Sequence, residues 1–369
     1  MGATAFAPGI ELTGFASRYH TVFRPVKSGS AIFRVQTNGN IKASVNGEEV
    51  LDQTNIKNPE NLYTLQVEAG QSYDIDLQFT QIKDGAYFNF DLVEETPLNL
   101  NATLARLKDA DVIIFAGGIS PLLEGEEMKV SAPGFKGGDR TDIDLPAAQR
   151  NVLAALKKAG KKIVFVNFSG SAMALAPEAG SCDAILQAWY PGQAGGTAVA
   201  DVLFGDYNPA GRLPITFYKH TEQLPDFEDY SMQGRTYRYM KETPLFPFGY
   251  GLSYTTFSYG KAQADKNLLN KGDKLSLSIP VKNTGKRNGE EIVQVYIRRP
   301  ADKEGPAKTL RAFKRVEIAK GETENVTIEL PYSAFEWFDA TTNTMHPLSG
   351  MYEILYGSSS KAEDLHSLQ

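Results

Sequence analysis

The hydrophobic period of this chain changes twice along its length, and those two changes limit its architecture more than any single motif. Over residues 1–98 apolar and polar side chains alternate. Ile41, Ala43 and Val45 fall on one side, and Lys42, Ser44 and Asn46 on the other. Tyr73, Ile75, Leu77 and Phe79 repeat the pattern, as do Phe88, Phe90 and Leu92, with turn sequences such as NGN and NGEE between the runs. A period of two marks strands with one buried face. The expectation for 1–98 is a β-rich domain, a sandwich or a barrel.

Over residues 99–260 the texture differs. DVIIFAGG is nearly all apolar and ends in two glycines, as a strand buried on both faces does. Asp144 is expected to cap a helix with Pro146 in its first turn and Val152, Leu153 and Leu156 on its apolar stripe. Gly160 should stop that helix after Lys157 and Lys158. KIVFVNF and AILQAWY read as the next strands, and AGGTAVADVLFG as a further helix. Strand–helix alternation predicts an α/β sandwich with a mainly parallel sheet. Residues 205–260 are rich in Pro, Gly, Tyr and Phe, too aromatic for a free linker, and are expected to pack over the domains they join.

Over 261–369 the period of two returns. Leu275, Leu277, Ile279 and Val281 form one strand, and NTGKRNG turns the chain into Val293, Val295 and Ile297. Val326, Ile328 and Leu330 follow, then GMYEILYG. Evenly spaced strands of this kind predict a β-sandwich of fibronectin or immunoglobulin type.

Composition excludes several function classes. The net charge is −6 with no dense Lys/Arg block, which argues against nucleic acid or an anionic membrane as partner. No apolar run approaches the roughly 20 residues that span a bilayer. MGATAFAPG carries neither a basic nor an apolar leader segment. Cys182 is the only cysteine, so neither an internal disulfide nor a cysteine metal cluster is expected. The four histidines, His20, His220, His346 and His366, share no ligand spacing, HExxH is absent, and neither metal nor cofactor is expected. Phosphate-binding glycine motifs are missing, and FSGSA offers Ser169 and Ser171 without a nucleophile elbow. Trp189 and Trp337 are more simply packing residues than sugar platforms.

Carboxylate chemistry remains. Open α/β sheets bind ligands beyond the carboxyl ends of their strands. Here those ends read FAGGISPLLEGEE, FVNFSGS and WYPGQAGG. The stretch EGEEMKVSAPGFKGGDR places Glu124, Glu126 and Glu127 on a loop leaving that edge. Gly125, Gly134, Gly137 and Gly138 give it freedom, and Asp139 and Arg140 are read as its far anchor. A solvated surface turn is the alternative reading of so much like charge.

WYPGQAGGTAVADVLFGDYNPAGRLPITF, GRTYRY and PLFPFGYGLSYTTF together resemble glycoside hydrolase family 3. VKNTGKRNGEEIVQVYI with KTLRAFKRVEIAKGE resembles that family's C-terminal fibronectin-III-like domain. SRYHTVFRPVKSGSAIFRVQTNGNIKASVNGEEVLD is similar, more weakly, to a PA14 domain, which some members carry inserted in their α/β sandwich. The resemblance implies three regions: 1–98 PA14-like, 99–260 the α/β-sandwich domain with its connecting segment, and 261–369 fibronectin-III-like. It also implies exo-acting, retaining hydrolysis of β-linked glucosides or xylosides by two carboxylates, which in retaining enzymes stand about 5 Å apart. The nucleophilic Asp of the family lies on an N-terminal (β/α)8 barrel, in a motif like SDW, and the acid/base Glu on a loop of the sandwich domain.

No SDW occurs in this sequence. The expectation is therefore that the chain supplies only the acid/base half of the site. Either the barrel belongs to the same protein, of which this is a fragment, or it belongs to a second polypeptide; association with such a barrel or with another copy follows. Aligning GEE…GGDR with the family's longer loop assigns the acid/base to Glu126, with Glu124 and then Glu127 as alternatives. No residue is assigned to sugar binding. The long GGDRTDIDLP version of the loop leans toward the β-xylosidase branch over β-glucosidase. Location, if it follows the family, is periplasmic or extracellular. A non-catalytic carbohydrate-binding or structural module is the competing class, favoured by the PA14-like region.

Overall fold

The computed structural model describes residues 5–7, 9–11, 14–37, 39–53, 60–82, 88–94, 98–124 and 130–368. The chain divides into two compact units, Met1–Asn99 and Leu100–Gln369.

Two antiparallel sheets form the body of the first unit, beside the short pair Ala5–Ala7 and Ile10–Glu11. One has four strands in the order Ala16–Phe23, Tyr73–Thr80, Asn40–Val45, Glu48–Gln53. The other sets Gly29–Thr37 between Glu60–Val67 and Phe88–Glu94. Alternation decides which faces meet. Ala43, Val45, Ile75 and Leu77 from the first sheet share a buried core with Ala31, Phe33 and Val67 from the second. Asn46 (φ 51°) and Gly47 (φ 83°) form the tight turn between Asn40–Val45 and Glu48–Gln53. Two successive left-handed residues match the twist of a hairpin, and Asn-Gly tolerates them best.

In the second unit, Val112–Gly118, Lys162–Phe168 and Ala184–Gln187 form a parallel sheet with Lys162–Phe168 in the centre. The helix Ala147–Lys158 buries Leu153 and Leu156 in the core that also holds Ile163 and Phe165. Its C-terminus closes as the sequence predicts. Gly160, at φ 73°, donates to the Lys157 carbonyl and Lys161 to that of Leu156. Its N-terminus does not: the cap is Pro146 with no side-chain hydrogen bond. Asp144 instead pairs with Arg150 at 3.5 Å, because its backbone is held in a bridge to Ala174, outside capping position. The third strand is also shorter than AILQAWY suggests. It ends at Gln187, and Trp189 adopts φ 57°, which turns the chain off the sheet.

Most of the C-terminal strands form two four-stranded sheets, and Glu336–Asp339 pairs with Thr344–Pro347 in a small hairpin. One contains Phe257–Tyr259, Gln263–Ala264, Lys274–Asn283 and Thr323–Pro331, and the other Thr309–Ile318, Gly289–Arg298, Glu353–Gly357 and Leu365–Ser367. Leu275, Leu277, Ile279 and Val281 meet Val293, Val295 and Ile297 in their shared core. The aromatic segment before them is packed into this unit. Phe217 contacts Trp189 and Phe246, Tyr237 stacks on Phe248, and Arg212 donates to the buried Glu291 at 2.8 Å.

Candidate active site

The carboxyl ends of the three parallel strands are fixed by polar side chains rather than by apolar packing alone. Gln149 clamps both backbone groups of Gly118: the Gly118 N–H donates to Oε1 and Nε2 donates to the Gly118 carbonyl, each at 2.7 Å. A side chain at Gly118 would strike the Phe168 carbonyl, so the first and second strands end close together because residue 118 lacks a Cβ. Asn167, fully buried at the end of the central strand, donates to Gln187 at 2.6 Å and to Ser169 at 3.2 Å. Ser169 donates in turn to the Ser171 carbonyl at 2.9 Å. The loop after the central strand is thus held stiffly before it reaches the edge.

Glu124 lies where these loops converge. A turn places it there, its backbone N–H donating to the Ser120 carbonyl at 3.1 Å. Oε1 accepts the Ser171 hydroxyl and Oε2 accepts the Tyr190 phenol at 2.9 Å. Arg140 approaches Oε1 at 4.0 Å, donates to Ser171 Oγ at 3.1 Å, and also binds the Ala172 and Asp142 carbonyls. Gly170 is the space that permits this: a Cβ there would lie 2.5 Å from the Tyr190 ring and 3.2 Å from Oε2. Burial first, and the Glu124 carboxylate second, push the Tyr190 phenol up to about 12. Burial lowers Arg140, opposed chiefly by Glu124.

Of the three sequence candidates, Glu124 alone is in the described structure, and Glu126 and Glu127 lie outside the described residues. Past 129 the loop resumes as small antiparallel strands, Ser131–Ala132, Phe135–Lys136 and Asp139–Arg140. Arg140 is where the loop's far end meets its near end. Tyr190, Ser171 and Gly170 were given no role by sequence reasoning, although each lies within a strand-end string singled out there. A glycine or hydroxyl just past a parallel strand's carboxyl end was the available signal.

The remaining candidates are dispersed. His20 faces Asp76, His220 faces Glu222, His346 faces Asp339 and His366 stacks on Tyr356. Trp337 is buried and donates to Asp302 at 2.6 Å, a packing role. Burial raises the Cys182 thiol pKa.

Residues 24–254 match the model of the glycosyl hydrolase family 3 C-terminal domain, and residues 291–360 match a fibronectin type III-like domain. The chain belongs to glycosyl hydrolase family 3. A xylan 1,4-beta-xylosidase of Xylanibacter ruminicola is 49% identical over 368 residues, covering 100% of this chain and 42% of that protein. A periplasmic beta-glucosidase of Salmonella typhimurium is 37% identical over 245 residues, covering 63% of this chain and 31% of its own length. Among solved structures, a beta-glucosidase from Kluyveromyces marxianus superposes with a TM-score of 0.78 at 27% identity, over 98% of this chain and 44% of that one. The chain spans less than half the length of each of these relatives and matches their C-terminal part.

Proposed function

We propose that this chain provides the general acid/base of a retaining β-glycosidase, with Glu126 as the proton donor and a β-xyloside as the first-choice substrate. β-Glucosides come second. The observation that carries the assignment is the state of Glu124. Both of its oxygens are taken by the Ser171 and Tyr190 hydroxyls, and Arg140 stands beside it. A carboxylate so engaged is committed to holding the loops after the first, second and third parallel strands together. It serves as the root of the loop, and Glu126 lies two residues beyond on the segment between the root and Val130.

The chemistry follows from that division. Glu126 protonates the departing glycosidic oxygen while an Asp from the family's N-terminal barrel attacks the anomeric carbon. In the second step Glu126, now a carboxylate, takes a proton from water as the glycosyl–enzyme ester is hydrolysed. The chain alone holds the donor without the nucleophile and should show no glycosidase turnover. The resemblance of 1–98 to PA14 domains supports a glycan-contacting role for the first unit. The identity to a xylan 1,4-beta-xylosidase supports xylosides over glucosides.

The test uses the chain joined to a family barrel. Glu126→Ala should lose about 10²–10⁴-fold on an alkyl xyloside and much less in the glycosylation step with a dinitrophenyl xyloside, with azide rescuing the second step. Glu124→Ala and Glu127→Ala should show neither the leaving-group dependence nor the rescue. The pattern appearing in Glu124→Ala would transfer the role to that residue. Its absence from all three would leave the chain as a carbohydrate-binding or structural module.

A further inference from the structure

A polar cavity lies beside the middle of the connecting segment, and cations outnumber carboxylates in its wall. It measures about 430 Å³ and is formed where residues 233–241 meet the loop joining Gly289–Arg298 to Thr309–Ile318. Five cations line it: Arg238, Lys241, Arg298, Arg299 and Lys303. Among the described residues only Arg298 is ion-paired, to Glu353 at 2.6 Å. Arg299 reaches a carbonyl, that of Ser349 at 2.9 Å, and Arg238 lies over the Tyr239 ring at 5.4 Å. The Nε atoms of Arg238 and Arg299 are buried without an acceptor.

The wall holds two carboxylates, Asp302 and Glu304, against those five cations. Asp302 accepts Trp337 Nε1 at 2.6 Å, the Gly305 N–H at 2.8 Å and the Glu304 N–H at 3.3 Å, so its oxygens are committed to holding the loop. Glu304 is exposed, and its backbone carbonyl, not its side chain, meets Gln233. The walls are fixed by the backbone. Ala307 N–H donates to the Arg238 carbonyl at 2.7 Å, and Leu310 N–H to the Tyr237 hydroxyl at 3.0 Å. The backbone that carries Arg238 is therefore held against this loop.

We infer that this cavity binds a small oxyanion, a carboxylate or phosphate group, gripped by the Arg238 and Arg299 guanidinium groups with Lys241 and Lys303 at its mouth. Guanidinium forks match planar or tetrahedral oxyanions, and charge-assisted hydrogen bonds are about twice as strong as neutral ones. The group could be inorganic phosphate or the carboxylate of an acidic sugar.

Calorimetric titration of the 369-residue chain at constant chloride decides it, with sodium phosphate in one arm and sodium glucuronate in the other. Saturable 1:1 binding is expected in at least one arm, and the tighter arm names the source of the oxyanion. Arg238→Gln should weaken binding by about tenfold. Lys241 and Lys303 are exposed, so the double variant Lys241→Gln/Lys303→Gln retains the fold, and it should weaken binding by about threefold or more. Should Arg238→Gln fail to fold, the lysine variant decides alone. Absence of saturable heat in both arms overturns the inference, as does unchanged affinity in the lysine variant.

Discussion

The Tyr190 phenol donates to Oε2 of Glu124 at 2.9 Å and so ties the loop after the first parallel strand to the loop after the third, 66 residues away in sequence. The bond has a pH signature. Tyr190 is raised from 10.0 to about 12, by burial first and Glu124 second. Between those values the folded chain keeps a proton that the unfolded chain has released. The contribution is complete below pH 10 and is lost as pH rises to about 12. Urea midpoints measured across this window should fall less steeply for Tyr190→Phe than for the wild type. Parallel curves would mean that the phenol does not sense the carboxylate.

Gly170 keeps that contact open. A methyl group there sits 2.5 Å from the Tyr190 ring, closer than real Cβ contacts come. Gly170→Ala should push Tyr190 aside and cost about 1–3 kcal/mol, as overpacking does. Denaturant unfolding gives the cost. The tyrosine-titration difference between Gly170→Ala and Gly170→Ala/Tyr190→Phe shows whether Tyr190 has returned toward an ordinary phenol. A neutral substitution with an unmoved Tyr190 would contradict the packing described.

Arg212 and Glu291 form an ion pair at 2.8 Å with only 8% and 2% of their side chains exposed, and Tyr259 also donates to Glu291 at 3.0 Å. Arg212→Ala leaves a buried carboxylate without its counter-charge and should cost about 3–5 kcal/mol. Arg212→Met combined with Glu291→Leu should cost much less, because neither charge is then stranded. A double-mutant cycle in urea measures the coupling. Independent, additive losses would place these groups in a wetter setting than the one seen.

Much of the fold was legible in the sequence because local signals and burial agree. KIVFVNF coincides with Lys162–Phe168, and Gly160 ends its helix for the reason any glycine does there. Asn46 and Gly47 announce their hairpin in two letters. Asp144 was misread as a cap because its partner, the bridge to Ala174, is distant in sequence and outweighs a local preference. The site was legible as an edge but not as contacts. Strand ends in a parallel sheet say where loops gather, whereas the Glu124 bonds to Ser171 and Tyr190 arise only when three loops meet. Two letters of spacing separate Glu124 from Glu126, and no periodicity encodes the hydrogen bonds that tether Glu124.

The ties between residues 205–256 and the C-terminal sheets bear on how such a protein can be rearranged by recombination. Gln294, buried in Gly289–Arg298, donates to the Gly249 carbonyl at 3.0 Å, and a side chain at Gly249 would strike its amide. A genetic crossover near residue 260 would deliver a C-terminal sandwich with Gln294 and Glu291 exposed to foreign neighbours. Inheritance of the last sandwich should therefore carry the preceding fifty residues with it.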